Sequence, residues 1–544
     1  MASSHSGPVS AGNSRKRVLL GMGVTILLIV ALLVVAVLAF SGATLASDST
    51  ALARVTVQPL GGSIEHVQAF GPDGRSVPIA VRDGRLTPLK RLTPGEQVSV
   101  HVQVRRPGWL GWALGSTRNE QLTLHAPVAQ VKEPWMTVSP GSDIHVSFDM
   151  PVSTVVYGTA GAVRSHTLSG DQSTVSLGVQ PETGATEIAV AARPWETVGA
   201  PTQVSWFPPS KAPVMVSLPA AGAQISPATH IHLTFSQPVS EVLGSSRPRV
   251  SPATQGSWHE LNSHTLVFVP SGFGASLGSQ LHVQLSRSVA VTAGSGGGLH
   301  TTSQIEWTVP PGSTLRLQQL LAQAGYLPVD WQPAAGTAAV AHTPGAEAQA
   351  AVDPPSGSFS WRYPNTPHQL QAMWTPGQAN TITKGAVMKF ENESDVTVDG
   401  LAGAAVWHLL LADALAGKQL NSGYSYVYVH REVPETMTLW HDGRTVISSP
   451  ANTGISGAET ELGTFPVFEH LPETTMSGTN PDGSHYSDPG IKWVSYFNGG
   501  DALHNFNRSS FGSPQSLGCV ELPLAASAEI WPYTPIGTLV TIET

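Results

Sequence analysis

Between Val18 and Phe40 the chain runs for 23 residues without a charged side chain. A helix needs about 20 apolar residues to cross a hydrocarbon core of about 30 Å, and in lipid every backbone N–H and C=O must be paired within the segment. The run 18–40 therefore predicts a transmembrane helix. Arg15, Lys16 and Arg17 precede it and no basic cluster follows, so the positive-inside rule keeps 1–17 in the cytoplasm and places everything after Ser41 outside. A cleaved secretory signal is the competing reading, although its apolar region usually spans about 7–15 residues and no clean A-x-A site follows here. On both readings the bulk of the chain is exported.

Downstream, alternation takes over. "ARVTVQP", "EQVSVHVQV" and "QLHVQLS" lie between turn clusters over 50–309, the period-2 signature of strands. Only 12% of residues are charged against 41% apolar, with 54 Gly and 43 Pro, a composition of short strands and turns. A length of 544 residues implies several domains, since single cores stop growing near ~250. The formal charge of -9, with no long basic stretch beyond the N-terminus, leaves no electrostatic footprint for nucleic acid. "VSPGSDIHVSFDMPVSTVV" (138–156) and "ISPATHIHLTFSQPVSEVL" (225–243) superpose without gaps at an offset of 87 and share nine residues. This internal repeat predicts two β-sandwich modules, 131–209 and 210–312, after a more divergent β module at 50–130. Their pattern resembles bacterial immunoglobulin-like domains, which implies a stalk. His230 and His232 would share one face of a strand, but the repeat carries Asp143 where His230 stands, so a structural role outweighs a metal site.

From 314 the period becomes helical. Leu317, Leu320, Leu321 and Ala324 fall on one face before "GYLP" stops the helix, and "VDGLAGAAVWHLLLADAL" supplies another. With "KGAVMKFE", these stretches resemble the peptidoglycan-binding helical domain of cell-wall enzymes over 314–416, with an insertion between Leu327 and Lys384. The resemblance implies glycan binding, and a structural spacer is the equal alternative.

The last 120 residues return to strands and contain Cys519, the only cysteine of the chain. Outside the cytosol a lone thiol has no intrachain partner to pair with, so its retention points to use. A free thiol is mostly protonated at neutral pH and needs a base beside it to act as a nucleophile. His504, fifteen residues upstream, is the candidate. Gly518 permits a tight turn in which main-chain N–H groups near Cys519 face an acyl oxygen.

His504, Ser516-Leu517-Gly518-Cys519-Val520 and the upstream "TELGTFPV" (460–467) together resemble the L,D-transpeptidase catalytic domain, over 424–544. The resemblance implies a mainly β multidomain protein ending in a β-rich catalytic domain. It implies Cys519 as nucleophile and His504 as base, with Gly518, Cys519 and Ser516 about the oxyanion and the Asn505 carbonyl orienting the imidazole. Trp493 and Tyr496 would line the donor cleft. Three positions depart from the family pattern: Leu517 where many members have His, Glu521 where they have Asn or Arg, and Asn505 where Gly follows the histidine. Leu517 and Glu521 therefore bear on substrate contacts. The implied activity is acyl transfer between peptidoglycan stem peptides, with carbapenem-type inhibitors as possible ligands and no metal or organic cofactor. The expected place is the cell membrane, single-pass, with the bulk in the cell wall. The competing class is a catalytically idle wall-binding scaffold.

Overall fold

The computed structural model describes residues 28–544 apart from 38, 159–162 and 293–297. Of the expected membrane-spanning segment, residues 18–27 lie outside the described residues. Residues 28–37 are helical, and Leu28, Leu32, Leu33 and Val35 are exposed. Among the described residues no helix is long and apolar enough to cross a membrane. The chain divides into two compact units, 1–211 and 212–544.

The first unit is all β apart from the apolar helix and one short helical tip. Its leading module holds a sheet in the order Ala43–Ser47, Ala53–Val57, Arg85–Pro88, Ile79–Arg82, and a second in the order Ser63–Phe70, Gln97–Arg105, Thr117–His125. In "QVSVHVQVR" the alternation is literal: Val98, Val100, Val102 and Val104 are buried, while Gln97, Ser99, His101 and Gln103 face outward or lie half-buried. The following five-stranded sheet has Asp143–Gly158 as its long second strand, flanked by Arg164–Val179 and Gly184–Ala191.

The second unit opens with a seven-stranded sheet containing Val214–Leu218, Ile231–Phe235 and Gln280–Thr292. Helices Thr314–Gln323, Pro344–Val352, Thr381–Glu393 and Ala404–Ala416 follow. The first starts on Ser313, whose hydroxyl accepts the Arg316 N–H, and the third on Asn380, whose side chain accepts the Thr383 N–H. These helices do not bury their apolar faces only on one another. Leu317, Leu321, Ile382, Val387, Phe390 and Trp407 share a core with Tyr424, Tyr426, Trp440 and Leu539 of the C-terminal strands. A glycine pair makes the approach possible, because a Cβ on Gly385 would stand 2.5 Å from the Gly537 carbonyl oxygen.

Two sheets build the C-terminal domain. One runs Arg444–Pro450, Thr436–His441, Ser425–His430, Leu539–Glu543, Gly463–Pro466. The other runs Glu469–Thr479, His485–Asn498, Asp501–Asn505, Val520–Leu522. Val427, Val429, Leu439 and Val540 of the first meet Leu503, Val520 and Leu522 of the second in one apolar core.

Candidate active site

The histidine strand, Asp501–Asn505, and the cysteine strand, Val520–Leu522, pair in parallel with Leu503 opposite Val520 and His504 opposite Glu521. Alternation then sorts the side chains. Leu503, Val520 and Leu522 turn into the core. Ala502, His504 and Glu521 take the other face, and Cys519, one step before the strand, falls on that face too. There Cys519 packs against the small cluster of Ala502, Ile491 and Val494, which Tyr496 also joins. The pairing thus sets imidazole and carboxylate side by side across the two strands, with the thiol two residues before Glu521 on the same face.

His504 is only 2% exposed. Its Nδ1 lies 2.8 Å from the Asn505 carbonyl oxygen. A carbonyl only accepts, so Nδ1 carries the proton and Nε2 of the neutral ring is bare, ready to take one. Burial holds the imidazole pKa below its ordinary value, with the Asn505 bond and Glu521 pulling the other way. The ring is neutral at pH 7.

The thiol is protonated as well. Burial pushes its pKa up to about 12; the Ala502 N–H opposes the rise, while Asp501 and Glu521 add to it. Sulfur approaches the Gly500 carbonyl at 3.6 Å. Thiol and imidazole are thus both uncharged at rest, so sulfur could act as a nucleophile only by giving up its proton as it does so. Asp501 is itself desolvated beside Glu461, its pKa raised to about 6.

Gly518 cannot be another residue. Its φ is +118°, and a Cβ there would collide with the Asp501 carboxylate. Its N–H is directed at Ser516 Oγ, 3.3 Å away, and the same hydroxyl donates to the Cys519 carbonyl at 2.5 Å. Ser516 is therefore a brace of the turn, and the Gly518 N–H, expected at the oxyanion, is directed to that brace. Leu517 is half-buried in the same turn. Trp493, at φ 60°, packs on Trp531 with ring centroids 5.3 Å apart, beside His470, which stacks on Trp531 at 4.2 Å. The structure therefore separates Trp493 from Tyr496: the first joins this aromatic cluster and the second stands by the thiol. Tyr486, which the sequence reading did not single out, also stands by it. Burial and the charge of an ionised Cys519 raise the pKa of both phenols.

Glu521 is 3% exposed and not left bare. Arg508 grips it in a fork, Nε to Oε2 at 2.8 Å and Nη2 to Oε1 at 2.7 Å, while the same Nη2 donates to the Gln515 carbonyl at 2.9 Å. The guanidinium lies 4.5 Å above the Phe506 ring. Where the family pattern puts a donor at 521, this chain puts a carboxylate and supplies the guanidinium from 508. The segment Ala451–Gly454 clamps the cysteine loop from both sides. Asn452 exchanges backbone hydrogen bonds with Glu521 at 3.0 and 2.9 Å, and the Thr453 carbonyl accepts from Gln515 and Ser516. The buried Glu435 carboxylate holds Thr453 in turn, through its N–H at 2.6 Å and its hydroxyl at 2.7 Å. Spacing gave no signal for Arg508, Asn452 or Glu435, except that a cation four residues after His504 and an anion two after Cys519 are complementary. Among the described residues no group of three His, Cys, Asp or Glu is placed to hold a metal ion.

Residues 424–542 match the family described as the L,D-transpeptidase catalytic domain, YkuD. No curated protein matches the chain. Similar solved structures include an L,D-transpeptidase from Mycobacterium smegmatis, 12% identical over 61% of this chain and 99% of its own, with a TM-score of 0.21. Another is the catalytic domain of an E. faecium L,D-transpeptidase, 24% identical over 22% of this chain and 95% of its own, TM-score 0.20. L,D-transpeptidase 3 from Mycobacterium tuberculosis, in complex with a faropenem-derived adduct, is 11% identical over 61% of this chain and 98% of its own, TM-score 0.21. At these scores the family match, and not the likenesses, carries the assignment. By that match residues 424–542, which contain the chain's single thiol and the buried His504, form an L,D-transpeptidase catalytic domain.

Proposed function

We propose that the protein is a membrane-anchored peptidoglycan L,D-transpeptidase that works through a Cys519 acyl-enzyme on stem peptides. In the first half-reaction Nε2 of His504 takes the thiol proton as sulfur attacks the amide carbonyl carbon between an L-configured stem centre and a terminal D-residue. Charge on the acyl oxygen is met by the Cys519 N–H. The C–N bond breaks, the His504 imidazolium returns its proton to the departing amine, and a thioester remains. In the second half an acceptor amine attacks the thioester carbon and gives a proton to His504, the C–S bond breaks, and the imidazolium returns that proton to the departing sulfur, restoring the thiol. Tyr486 and Tyr496 line the entry to the thiol. Arg508 and Glu521 act as positioning residues, because they fix the strand end next to His504. Residues 18–40 hold the protein at the membrane, N-in and C-out, and the β modules carry the domain into the wall.

The observation that supports this reading is the strand register that sets His504 opposite Glu521, on the face that Cys519 also takes two residues before Glu521, with its Nδ1 held by the Asn505 carbonyl. A carbapenem is a strained amide that needs nucleophile, base and oxyanion donor together. Intact-mass measurement should show one drug mass per chain, mapped to Cys519, and none on Cys519→Ala. Expressed in a host without its own L,D-cross-links, the active protein should produce them and the variant should not. Folded protein alkylated by iodoacetamide yet inert to every carbapenem and silent in the muropeptides would replace this reading with an idle scaffold.

A further inference from the structure

Large apolar side chains are normally buried, so a pair standing in water needs an explanation. Trp109 is 57% exposed and Trp112 87% exposed. Both belong to the short helix Gly108–Leu114, at the tip of the hairpin formed by Gln97–Arg105 and Thr117–His125. Three residues apart, they fall on one helix face. The tip is braced from within. Arg106 N–H donates to the Ser116 carbonyl at 2.9 Å, and its Nη1 donates to the carbonyls of Gly115 and Thr117 at 3.2 and 3.3 Å. Arg105, Arg106 and Arg118 ring its base.

Strand register says which end of the module this is. Arg105 pairs with Thr117 and with Ser63, and Ala43 pairs with Val57. Between Val57 and Ser63 the chain turns, and there Gln58 N–H donates to the Gly42 carbonyl at 2.9 Å and Leu60 N–H to the Phe40 carbonyl at 3.0 Å. The guanidinium of Arg118 lies against Gly42. The apolar helix, with Phe40 at its end, therefore leaves the module at the same end as the tryptophan tip, and the hairpin base touches its exit.

We infer that this tip is a second membrane contact, seated at the boundary between headgroups and acyl chains of the bilayer that holds the apolar helix. Indoles concentrate at this boundary because one end of the ring is apolar and the N–H finds water or headgroup oxygen. At its base Arg105 pairs with Glu65 and Arg118 with Glu120, a polar collar that suits the headgroup layer above the indoles. The juxtaposition decides the occupant: a bilayer spanned by the helix ending at Phe40 lies directly beside the hairpin base. Two contacts on one rigid module then fix the tilt of that module on the membrane, where a single helix would leave it free to swivel. The inference rests on the membrane-anchor reading of residues 18–40.

The sequence makes the test clean. The chain has 14 tryptophans, none of them within residues 1–40, so quenching by brominated lipid cannot come from the helix. Full-length protein in nanodiscs of phosphatidylcholine and phosphatidylglycerol, brominated near the top of the acyl chains, should lose the emission of two tryptophans. In Trp109→Phe/Trp112→Phe, which keeps the apolar contact and deletes the fluorophores, the loss should vanish. In Trp109→Asp/Trp112→Asp, amides 106–116 should exchange faster in the same discs, with the thermal midpoint unchanged. Quenching that persists in the phenylalanine variant, or wild-type protein held in the discs without quenching, overturns the tip while leaving the anchor. Protein that washes off the discs overturns both. Protection of 106–116 that appears only with peptidoglycan sacculi, or that follows protein concentration instead of lipid, assigns the tip to glycan or to a second copy and overturns the proposal.

Discussion

The strand pair at Cys519 and the hairpin tip at Trp109 break the usual burial rule in opposite senses. At the first, polar groups are sunk out of water: His504 at 2% and Glu521 at 3% exposure. At the second, two indoles are pushed into it. Each departure costs stability; at the first the surrounding hydrogen bonds offset it, at the second no described residue covers the indoles. The buried set is held by an over-determined frame of paired strands, a forked Arg508 and the Asn452 clamp. The exposed set is held only at its base. Chemistry needs atoms fixed to a fraction of an ångström, whereas contact with a fluid interface needs only a hydrophobic face presented at the right end.

The contrast predicts that damage to the buried set will be large and specific. His504→Ala should cut carbapenem acylation by about 10²–10⁴-fold, the range a positioned general base supplies, with the circular dichroism spectrum retained. Acylation within a few fold of wild type would dismiss His504 as the base.

Arg508→Ala comes next. It strands the Glu521 carboxylate in a site 3% exposed, at a cost of about 3 kcal/mol in chemical denaturation, because a buried charge loses its partner. Arg508 also holds the His504 pKa down while Glu521 holds it up. Without the arginine the imidazole binds its proton at higher pH, and the acid limb of the acylation rate should move upward. A merely structural role would lower stability and leave that limb in place. Replacing both partners, Arg508→Met with Glu521→Leu, should recover most of the stability.

A smaller effect is legible in alkali. The folded thiol keeps its proton to about 12 against an ordinary 9.0, so the unfolded chain ionises first. This contribution to stability is whole below pH 9 and is lost as pH climbs from there towards 12, at up to ~1.4 kcal/mol per pH unit. The difference between wild type and Cys519→Ala in urea unfolding should therefore change with pH above 9 and stay flat below it. Least of all, Trp109→Asp/Trp112→Asp should leave the acylation rate of Cys519 unchanged; a drop would mean the two regions are not independent.

Residue types singled out Cys519 and His504, and alternation announced the strands, because both are local properties. What could not be read locally was register. Nothing in a fifteen-residue gap says that His504 faces Glu521, nor that Arg508 will reach 13 positions along to close on it. The repeat makes the same point more sharply. Its two copies share nine residues, yet one continues as a single strand, Asp143–Gly158, straight through Pro151, while the other stops at Phe235 and turns at Pro238 into the helix Val239–Leu243. Shared positions fill the core in both: Val152 and Val155 in one, Val239 and Val242 in the other. The unshared ones choose the backbone. Thr154, Val156 and Tyr157 prefer a pleated strand; Glu241 and Leu243 tolerate a helix, and Gly244, at φ 63°, ends it. The helices Thr314–Gln323 and Ala404–Ala416 were legible as helices, whereas Pro344–Val352 lay hidden in the insertion, and the core they share with Tyr426 and Leu539 depends on the Gly385–Gly537 approach, which no periodicity encodes.

Strand Leu539–Glu543 lies inside its sheet, parallel to Ser425–His430 on one side and antiparallel to Gly463–Pro466 on the other. That placement sets a clock. A chain made from its N-terminus onward delivers Cys519 and His504 about twenty residues before the strand that closes the sheet behind them. Until that strand arrives, the two strands it should bridge have no partner between them, and non-local pairing of this kind is slow to form. Assembly of the domain around Cys519 thus waits on Leu539–Glu543 and not on the emergence of the sulfur, so a chain arrested before Leu539 should carry a sulfur that no carbapenem acylates.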